Sequence, residues 1–435
     1  MIPLRKHQIF TIQDSLKIKD ALLEWSKKFP SVVWLDSNGH KDPYGFFEAA
    51  LAVEQTDMSD AGVENIDELS AIIDKKHDWL FGYFSYDFKN DLEDLESRNF
   101  DGLSFPKIHF FRPSKLILLK GGELHFLYLE ADTNDIDNDY LQIKNAVDGP
   151  KAVMGSSPSP RIHLRVHKDA YFEKVARLLE HIHRGDLYEA NLCQEFYATD
   201  TEIDPWQTYF RLNEISRPPF AAFMRLGERY LMCASPERYL RKMGQNVISQ
   251  PIKGTSRRGN NGKEDEALRI ALSMDEKERA ENIMITDLVR NDLSKSALKG
   301  SVLVEELCRV YTYKQVHQMI STVISKVAKE KNPLEIIKQT FPMGSMTGAP
   351  KISAMKIIEK LEETKRGLYS GAVGYFAPNG DFDFNVVIRS ILYNAAEKYV
   401  SFSVGSAITS KSNPEKEYQE CLLKAKAMRS VLEKG

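Results

Sequence analysis

The segment P-I-K-G-T at residues 251–255, together with the run E-R-A-E-N-I-M-I-T-D-L-V-R-N-D at residues 278–292, decides how this chain is interpreted. In the first segment Lys253 is the one long charged side chain, between Ile252 and Gly254. Burial disfavours the ammonium form of a lysine, and the neutral amine is a nucleophile. We therefore predict that Lys253 is a reactive amine.

The second run begins with one of two glutamate pairs in predicted helices. Glu278 and Glu281 form the first pair, and Glu417 and Glu420 form the second, with Lys424 one turn further along. Residues at this spacing share a helix face, where like charges repel unless a cation or a basic partner lies between them. A single pair usually marks a solvated face. Because the pattern occurs twice, we predict a cation site.

Composition limits the class of protein. The 435 residues, 42% of them apolar, suffice for a large core in one or two domains. A net charge of -3 indicates no nucleic-acid partner, and the chain has neither an apolar run of about 20 residues nor a signal-peptide start. The cysteines show no C-x-x-C spacing, so reduced thiols, a cytoplasmic location and oxygen ligands for any metal are expected. They are Cys193, Cys233, Cys308 and Cys421.

The pattern of elements indicates two regions that mix helices and strands. Residues 147–163 carry glycine, serine and proline in an unpatterned run, which predicts a boundary between residues 1–155 and 163–435. In the first region, helical periodicity covers residues 15–29, and residues 108–119 and 123–129 suggest a hairpin.

The second region contains most of the candidate site residues. Glu237 lies in A-S-P-E-R-Y, in a segment next to that of Lys253, and a short connection between strands can bring the two face to face. P-M-G-S-M-T-G-A-P-K at residues 342–351 predicts a glycine-rich turn that enters a helix and faces an anionic group. Three antiparallel strands are predicted at residues 369–376, 383–393 and 399–408. Arg389 on the middle strand pairs either with a structural carboxylate or with a substrate carboxylate.

Taken together, these motifs closely resemble the chorismate-utilising enzymes, which include anthranilate, aminodeoxychorismate, isochorismate and salicylate synthases. The resemblance is dense from about residue 163 onwards. W-L-D-S at residues 34–37 and G-Y-F-S-Y-D at residues 82–87 are a looser match. The resemblance as a whole implies an α+β fold in which antiparallel β-sheets and helices form a sandwich around one cleft. The motifs that carry it are S-P-E-R, P-I-K-G-T, E-N-I-M-I-T-D-L-V-R-N-D, S-M-T-G-A-P-K, Y-S-G-A-V-G-Y-F and E-Y-Q-E.

Lys253 separates the branches of this family. Anthranilate, isochorismate and salicylate synthases carry alanine there, whereas the lysine form resembles the aminodeoxychorismate synthases, which aminate chorismate to 4-amino-4-deoxychorismate on the route to p-aminobenzoate and folate. The alternatives are an anthranilate synthase component, which expels pyruvate, and an idle tryptophan-binding relative. Gly405-Ser406-Ala407 replaces the G-x-G common in anthranilate synthases, so the contact of the second glycine is not carried over.

The resemblance also implies a role for each site residue. Mg²⁺ is expected at Glu278, Glu281, Glu417 and Glu420, most directly at Glu281 and Glu420. Lys253 would attack the ring while Glu237 exchanges a proton with the departing hydroxyl, and His317 is either a proton-transfer group or structural. Because no glutaminase motif is visible, a separate glutamine amidotransferase subunit would supply ammonia. The residues expected to bind chorismate are Ser345, Thr347, Tyr369, Arg389, Gly405 and Lys424.

Overall fold

The computed structural model describes residues 5–55, 62–148, 159–314 and 316–433, which form eleven α-helices and 22 strands. The helices are α1 (Ser15–Ser26), α2 (Ile66–Lys76), α3 (Lys89–Leu92), α4 (Ile136–Asp148), α5 (Lys168–Arg184), α6 (Pro205–Ser216), α7 (Gly262–Met274), α8 (Glu276–Ser294), α9 (Pro333–Thr340), α10 (Lys351–Leu361) and α11 (Pro414–Glu433). The strands are β1 (Lys6–Thr11), β2 (Ser31–Asp36), β3 (Ala49–Glu54), β4 (Gly62–Val63), β5 (Leu80–Phe84), β6 (Ile108–Phe111), β7 (Lys115–Lys120), β8 (Glu123–Tyr128), β9 (His163–Leu164), β10 (Glu189–Ala198), β11 (Phe220–Leu226), β12 (Arg229–Ser235), β13 (Arg238–Met243), β14 (Asn246–Ser249), β15 (Ile252–Arg257), β16 (Leu303–Thr312), β17 (Val316–Lys326), β18 (Gly348–Ala349), β19 (Ala372–Phe376), β20 (Phe382–Val386), β21 (Ser390–Asn394) and β22 (Tyr399–Thr409).

The strands form two antiparallel sheets. The first has twelve strands in the order β1-β8-β7-β3-β2-β11-β12-β21-β22-β10-β18, with β9 paired to β10. The second has ten strands in the order β15-β17-β14-β13-β20-β19-β5-β6-β4, with β16 paired to β17. Each sheet has an apolar face that must be covered by another layer.

Alternation along β2 shows how the layers are arranged. Val32 and Trp34 belong to the core that the helices share with the twelve-stranded sheet. Val33 and Leu35 point the other way, into a core that includes Phe84 of the ten-stranded sheet. Because successive side chains of a strand face opposite sides, this sheet is buried on both faces. The predicted α+β sandwich of antiparallel sheets and helices is confirmed.

Strands from both predicted regions take part in both sheets. In the twelve-stranded sheet β2 pairs with β11, and in the ten-stranded sheet β5 pairs with β19. Much of the predicted boundary segment, residues 149–158, lies outside the described residues. The boundary between residues 1–155 and 163–435 therefore stays a prediction about the sequence, and both sheets continue across it.

The predicted hairpin is present, with β7 paired to β8, but two of the predicted strands each divide into two strands. Residues 108–119 form β6 in the ten-stranded sheet and β7 in the twelve-stranded sheet, with a break after Phe111. Residues 383–393 likewise divide into β20 and β21 of different sheets, and Arg389 lies between them with φ of 53°. Because the sheets share a core, apolar residues continue through each crossing, and the sequence pattern does not show where the chain changes sheet.

The cysteines agree with the expected reduced state. Cys193, Cys233, Cys308 and Cys421 are all free and buried. No helix in the described ranges is both long enough and apolar enough to cross a membrane.

Candidate active site

The site forms where the chain passes from one sheet to the other. Glu237 lies between β12 and β13, and Arg389 lies between β20 and β21, so each connection joins the two sheets. The two crossings lie side by side. The Ala234 amide donates to the Arg389 carbonyl at 3.1 Å, and the Val386 amide donates to the Glu237 carbonyl at 3.0 Å. The side chains of Glu237 and Arg389 are thereby attached to rigid neighbouring backbone.

Lys253 is held in a bulge at the edge of the ten-stranded sheet. The register between β15 and β17 shifts between Ile252 and Thr255, and Gly254 has φ of 95°, a conformation that favours glycine. The Asn282 side chain on α8 donates to the Lys253 carbonyl at 3.1 Å. Bulges redirect side chains beside active sites. Here the bulge and the helix together fix the direction of Lys253.

The ammonium of Lys253 is surrounded by carboxyl groups. Its Nζ donates to Oε1 of Glu189 at 3.0 Å, and the two side chains are 12% and 1% exposed. Burial works to lower the pKa of Lys253, as predicted, but the charge of Glu189 and its hydrogen bond, with Glu281 and Glu237 beyond, raise it above its ordinary value. The carboxyl groups thus oppose the loss of the proton that burial favours, and the reactivity of Lys253 stays a prediction. Lys253 rests as an ammonium.

Glu189 was missed by the sequence analysis. It begins β10, a strand buried at nearly every position, and lies opposite Ala349 of the glycine-rich turn. An acidic residue in such a strand is rare unless it has a partner, which is the signal that could have identified it. What the sequence does not contain is the identity of that partner, because Lys253 reaches Glu189 from the other sheet.

Glu237 also faces this region, and its carboxyl group is a weaker acid than an ordinary glutamate. It is buried, and the Ser345 hydroxyl donates to its Oε1 at 2.6 Å. Burial raises the pKa of Glu237 to about 7, against the smaller opposing effects of the Ser345 hydrogen bond and the charge of Lys253. At neutral pH a group of this kind can both give and accept a proton. The predicted proximity of Glu237 and Lys253 is present as an electrostatic interaction.

The glycine-rich turn packs against the backbone of β10. A Cβ atom at Gly348 would lie 2.1 Å from the Glu189 carbonyl oxygen, so only glycine permits this approach. The Asn191 amide donates to the Thr347 carbonyl at 2.9 Å, and the Thr347 hydroxyl donates to the Met343 carbonyl at 2.9 Å. The turn therefore holds Glu189 and Ser345 at fixed positions, and the Thr347 hydroxyl is engaged within the turn itself.

The two predicted glutamate pairs lie on α8 and α11, with a lysine between the helices. Lys277 Nζ lies 3.6 Å from Glu281 Oε1 and 3.9 Å from Glu417 Oε1. Burial lowers the pKa of Lys277, but the negative field of Glu281, Glu417, Glu278 and Glu420 more than offsets it and raises that pKa. Burial also raises the pKa of Glu281 to about 7. This is a region where positive charge is strongly favoured.

The donor atoms suit a hard cation, although they do not form a closed ligand set. Among the described residues no group of three or more histidine, cysteine, aspartate or glutamate side chains is gathered closely enough to hold a metal. Glu417 accepts from the Ser406 hydroxyl, and Glu420 accepts from Lys424 at 2.6 Å. All four donors are carboxylates, the ligands that Mg²⁺ prefers, and Mg²⁺ commonly keeps several waters. The residues therefore fit Mg²⁺ bound in part through water or substrate oxygens.

Arg389 and Lys424 lie next to each other beside this carboxylate face. Lys424 Nζ donates to the Gly405 carbonyl at 2.9 Å, and Arg389 donates to the Lys424 carbonyl at 3.4 Å. Burial lowers the pKa of Arg389, with Tyr369 and Glu420 opposing. Within the described residues Arg389 makes no ion pair at 4.0 Å or less, so the structural carboxylate considered from the sequence is not present.

Gly405 and Tyr369 complete the wall near β10. A Cβ atom at Gly405 would lie 2.5 Å from Asn191 Nδ2 and 2.9 Å from Cys193 Sγ, which explains the glycine. Tyr369 is buried, with its hydroxyl 4.0 Å from Cys193 Sγ. A side chain at Gly405 would therefore require the side chains of Asn191 and Cys193 on β10 to move.

His317 is engaged away from this cluster. It is buried, and its Nδ1 and Nε2 lie 2.9 Å from Thr312 Oγ1 and 3.0 Å from Asp265 Oδ1. With both ring nitrogens occupied, these contacts favour the structural alternative over proton transfer to a substrate.

The sequence matches the profile described as chorismate binding enzyme over residues 30–430, and the chain belongs to that family. It is 36% identical over 393 residues to a probable chloroplastic aminodeoxychorismate synthase of Oryza sativa subsp. japonica, covering 82% of this chain and 43% of the relative. It is 33% identical over 365 residues to aminodeoxychorismate synthase component 1 of Bacillus subtilis, covering 81% of this chain and 76% of the relative.

The fold also matches a solved structure. Anthranilate synthase component I of Streptococcus pneumoniae superposes with a TM-score of 0.74 at 25% identity, covering 99% of this chain and 93% of the other. The chain spans less than half the length of the rice relative, so the complete activity of that relative is not assigned to it.

Proposed function

We propose that this chorismate binding enzyme is the chorismate-converting component of an aminodeoxychorismate synthase. In this proposal, chorismate and ammonia give 4-amino-4-deoxychorismate, and the enolpyruvyl group is retained. The observation that carries the proposal is Lys253, a largely buried amine placed by a bulge among carboxyl groups. The names of the rice and Bacillus subtilis relatives support the same reaction.

The positive groups of the site suit a substrate with two carboxylates. Arg389 is partly buried and has no ion-pair partner in the described residues, and a guanidinium binds a carboxylate through two parallel hydrogen bonds. We assign Arg389 to the enolpyruvyl carboxylate. Lys424, the backbone at Gly405 and Tyr369 lie beside it, and Ser345 and Thr347 belong to the turn that faces the ring.

The carboxylates of α8 and α11 would hold Mg²⁺ against the ring carboxylate. When bound, Mg²⁺ would supply Lewis-acid withdrawal of electron density from the ring. Glu281 and Glu420 are the expected direct ligands, and Glu278 and Glu417 contribute through water. Lys277, which now lies between the helices, would have to turn towards solvent, and its half-exposed side chain permits this.

The chemistry at the ring needs a nucleophile and an acid. Lys253, as a neutral amine, attacks the ring carbon next to the one that bears the carboxylate, and the hydroxyl leaves with the shifted double bond. Glu237 gives its proton to the departing oxygen, a role that suits a carboxyl group of pKa about 7. Ammonia then attacks the carbon that lost the hydroxyl and displaces Lys253. A separate glutamine amidotransferase subunit would supply that ammonia.

The test is the product formed by the purified chain from chorismate, Mg²⁺ and an ammonium salt. We expect 4-amino-4-deoxychorismate, identified by mass spectrometry and NMR, and no release of pyruvate. Lys253→Arg keeps the charge but cannot supply a neutral amine, so it should lose activity as fully as Lys253→Ala, by at least about a thousandfold. Near-normal turnover by Lys253→Arg would exclude the covalent role. Anthranilate and pyruvate as products would instead show that the chain is an anthranilate synthase component.

A further inference from the structure

We infer that Glu189 is a catalytic residue that takes the proton from Lys253 before attack and returns it when the lysine leaves. This inference rests on the proposed amination of chorismate and adds a second carboxyl group to it. The reason is a requirement of the chemistry. Lys253 rests as an ammonium, an ammonium has no lone pair, and some group must therefore accept its proton inside the closed site.

Glu189 is the carboxylate that touches the reacting nitrogen. Its Oε1 accepts from Lys253 Nζ at 3.0 Å, which is within proton-transfer distance. The other carboxyl groups facing Lys253 act on it through charge at longer range, with no direct hydrogen bond within the described residues. They are Glu237 at the sheet crossing, Glu278 and Glu281 on α8, and Glu420 on α11.

The surroundings of Glu189, in the part of the chain that the structure describes, bury its carboxyl group and leave one of the two oxygens without a donor. Its side chain is 1% exposed, and Oε2 is buried with no hydrogen-bond partner among the described residues. A carboxylate that served only to hold a structure would have both oxygens satisfied, because an unpaired buried oxygen is costly. The backbone at Glu189 is also held in place, because β18 pairs with Glu189 and Gly348 allows the close backbone contact.

Substrate binding would drive the transfer. An ion pair needs solvation or polar neighbours, whereas a neutral amine beside a neutral carboxylic acid does not. Chorismate covering the site would remove water, and Glu278, Glu281 and Glu420 would support the ammonium less once they held Mg²⁺. Both changes favour the neutral pair of Lys253 and Glu189.

The protons balance over the cycle. Glu189 takes one proton from Lys253, the amine nitrogen forms a bond to the ring, and the C–O bond breaks as Glu237 protonates the hydroxyl to give water. Ammonia then forms the new C–N bond, and Lys253 leaves as a neutral amine. Glu189 returns its proton to Lys253, and the new ammonium group gives one to Glu237. Every group of the enzyme is restored, and no oxidant or reductant is needed.

The central experiment compares Glu189→Gln with Glu195→Gln under ammonium-dependent turnover. In the first variant the new amide would keep the shape and the hydrogen bond but accept no proton, so we expect a loss of at least about a hundredfold in kcat with little change in KM. Glu195 is the matched control, since it is on the same strand and buried, but it pairs with Arg165 and Tyr399. Its variant should keep kcat within a few-fold.

A second measurement separates proton transfer from simple electrostatics. The charge of Glu189 raises the pKa of Lys253, so Glu189→Gln should let an amine-labelling reagent modify Lys253 at lower pH than in the wild type, as followed by peptide mass spectrometry. If Glu189 only held the ammonium, this variant would be faster than the wild type. We expect a more easily labelled lysine in a slower enzyme, and formate should partly restore turnover to Glu189→Ala.

The outcomes distinguish this inference from the proposed function. If the wild-type chain makes 4-amino-4-deoxychorismate and Glu189→Gln retains its kcat, the role of Glu189 is wrong and the function stands. If the wild-type chain makes no such product, the proposed function fails first. Loss of activity in Glu189→Gln together with a lowered thermal midpoint and no formate rescue in Glu189→Ala would indicate a structural role and overturn the inference.

Discussion

Lys253 and Arg238 are two largely buried cations in the same sheet, and they differ in how completely their surroundings satisfy them. Arg238 donates to Asp383 at 2.9 Å and to Gln250 at 2.7 Å, and it also binds Asp42. Its guanidinium lies 4.8 Å from the ring centre of Phe220. We call these residues the Arg238 cluster. Lys253 has a single direct side-chain partner in the described residues, Glu189, which itself keeps an unpaired oxygen.

The difference shows what each cluster is for. A buried polar network in which every donor has an acceptor rigidifies the fold and has one arrangement. The Arg238 cluster joins Asp42 of the N-terminal region to Asp383 on β20 in this way. Lys253 is left among several carboxyl groups with a Glu189 oxygen unpaired within the described residues, an arrangement that costs stability and that the proposed proton transfer would use. The adjacent residues Glu237 and Arg238 thus differ in their surroundings: Arg238 lies in a fully paired network, and Glu237 lies near the incompletely paired Lys253.

The largest expected effect is on stability. Arg238→Met removes the direct cation of Asp42 and leaves Asp383 with Arg241 at 3.9 Å, and we expect the free energy of unfolding to fall by about 3–5 kcal/mol. Lys253→Met should cost less than half as much, because Lys253 has one direct side-chain partner in the described residues whereas Arg238 has three. Urea denaturation of both variants at pH 7 measures the two losses. Equal losses would remove the distinction between the clusters.

Next in size is the pH dependence, which should have opposite signs in the two clusters. Glu237 has its pKa raised to about 7, so the folded state holds this proton more tightly than the unfolded chain. The free energy of unfolding should therefore fall as pH rises from about 4.5 through about 7, by up to about 3 kcal/mol. Glu237→Gln should abolish this loss. Glu281, whose pKa is also raised, is present in both proteins, so the difference between their free energies of unfolding isolates the effect of Glu237.

The Arg238 cluster behaves in the other direction. Although burial opposes it, the hydrogen bond and charge of Arg238 lower the pKa of Asp42. Ionised Asp42 therefore contributes to the free energy of unfolding above the ordinary aspartate pKa. This contribution is lost as pH falls through the lowered pKa of the folded state. Denaturation of Asp42→Asn against wild type at acid and neutral pH checks the sign. A contribution that grows on acidification would contradict it.

The smallest effect concerns the carboxylate face. Substituting a group in the outer shell of a metal site commonly costs about 10–100-fold in affinity, and a direct ligand should cost at least as much. We expect Glu281→Gln and Glu420→Gln each to weaken Mg²⁺ binding to this extent, measured by calorimetry and by restoration of activity after EDTA treatment. Glu276→Gln, at an exposed position of the same helix, is the control. Unchanged Mg²⁺ affinity in both ligand variants would place the ion elsewhere.

Local features of the site were predictable from sequence because they depend on neighbours in the chain. The spacing of Glu278 and Glu281 on one helix, the turn around Gly348 and the lone Lys253 are all short-range patterns. Each follows from helix period or backbone conformation, which a few residues determine. The α+β fold, in contrast, was implied by the resemblance of the motifs to the chorismate-utilising enzymes.

Features that join the two sheets were decided by the tertiary structure. Residues 383–393 are continuous in hydrophobicity, yet they change sheet at Arg389, because a shared core makes both sides of the crossing apolar. Glu189 reaches Lys253 only because β10 and β15 are brought together from different sheets.

The charge state of Lys253 is the clearest case. Sequence indicated a lone amine that burial can deprotonate, and burial does act in that direction. Its pKa is nevertheless raised, because the carboxyl groups of Glu189 on a strand, Glu281 on a helix and Glu237 at a sheet crossing all act on the Lys253 nitrogen. Electrostatic energy depends on distances in space and on the local dielectric, and neither is a property of the chain order. The sequence determined that a lysine stands there, and the fold determined which proton it holds.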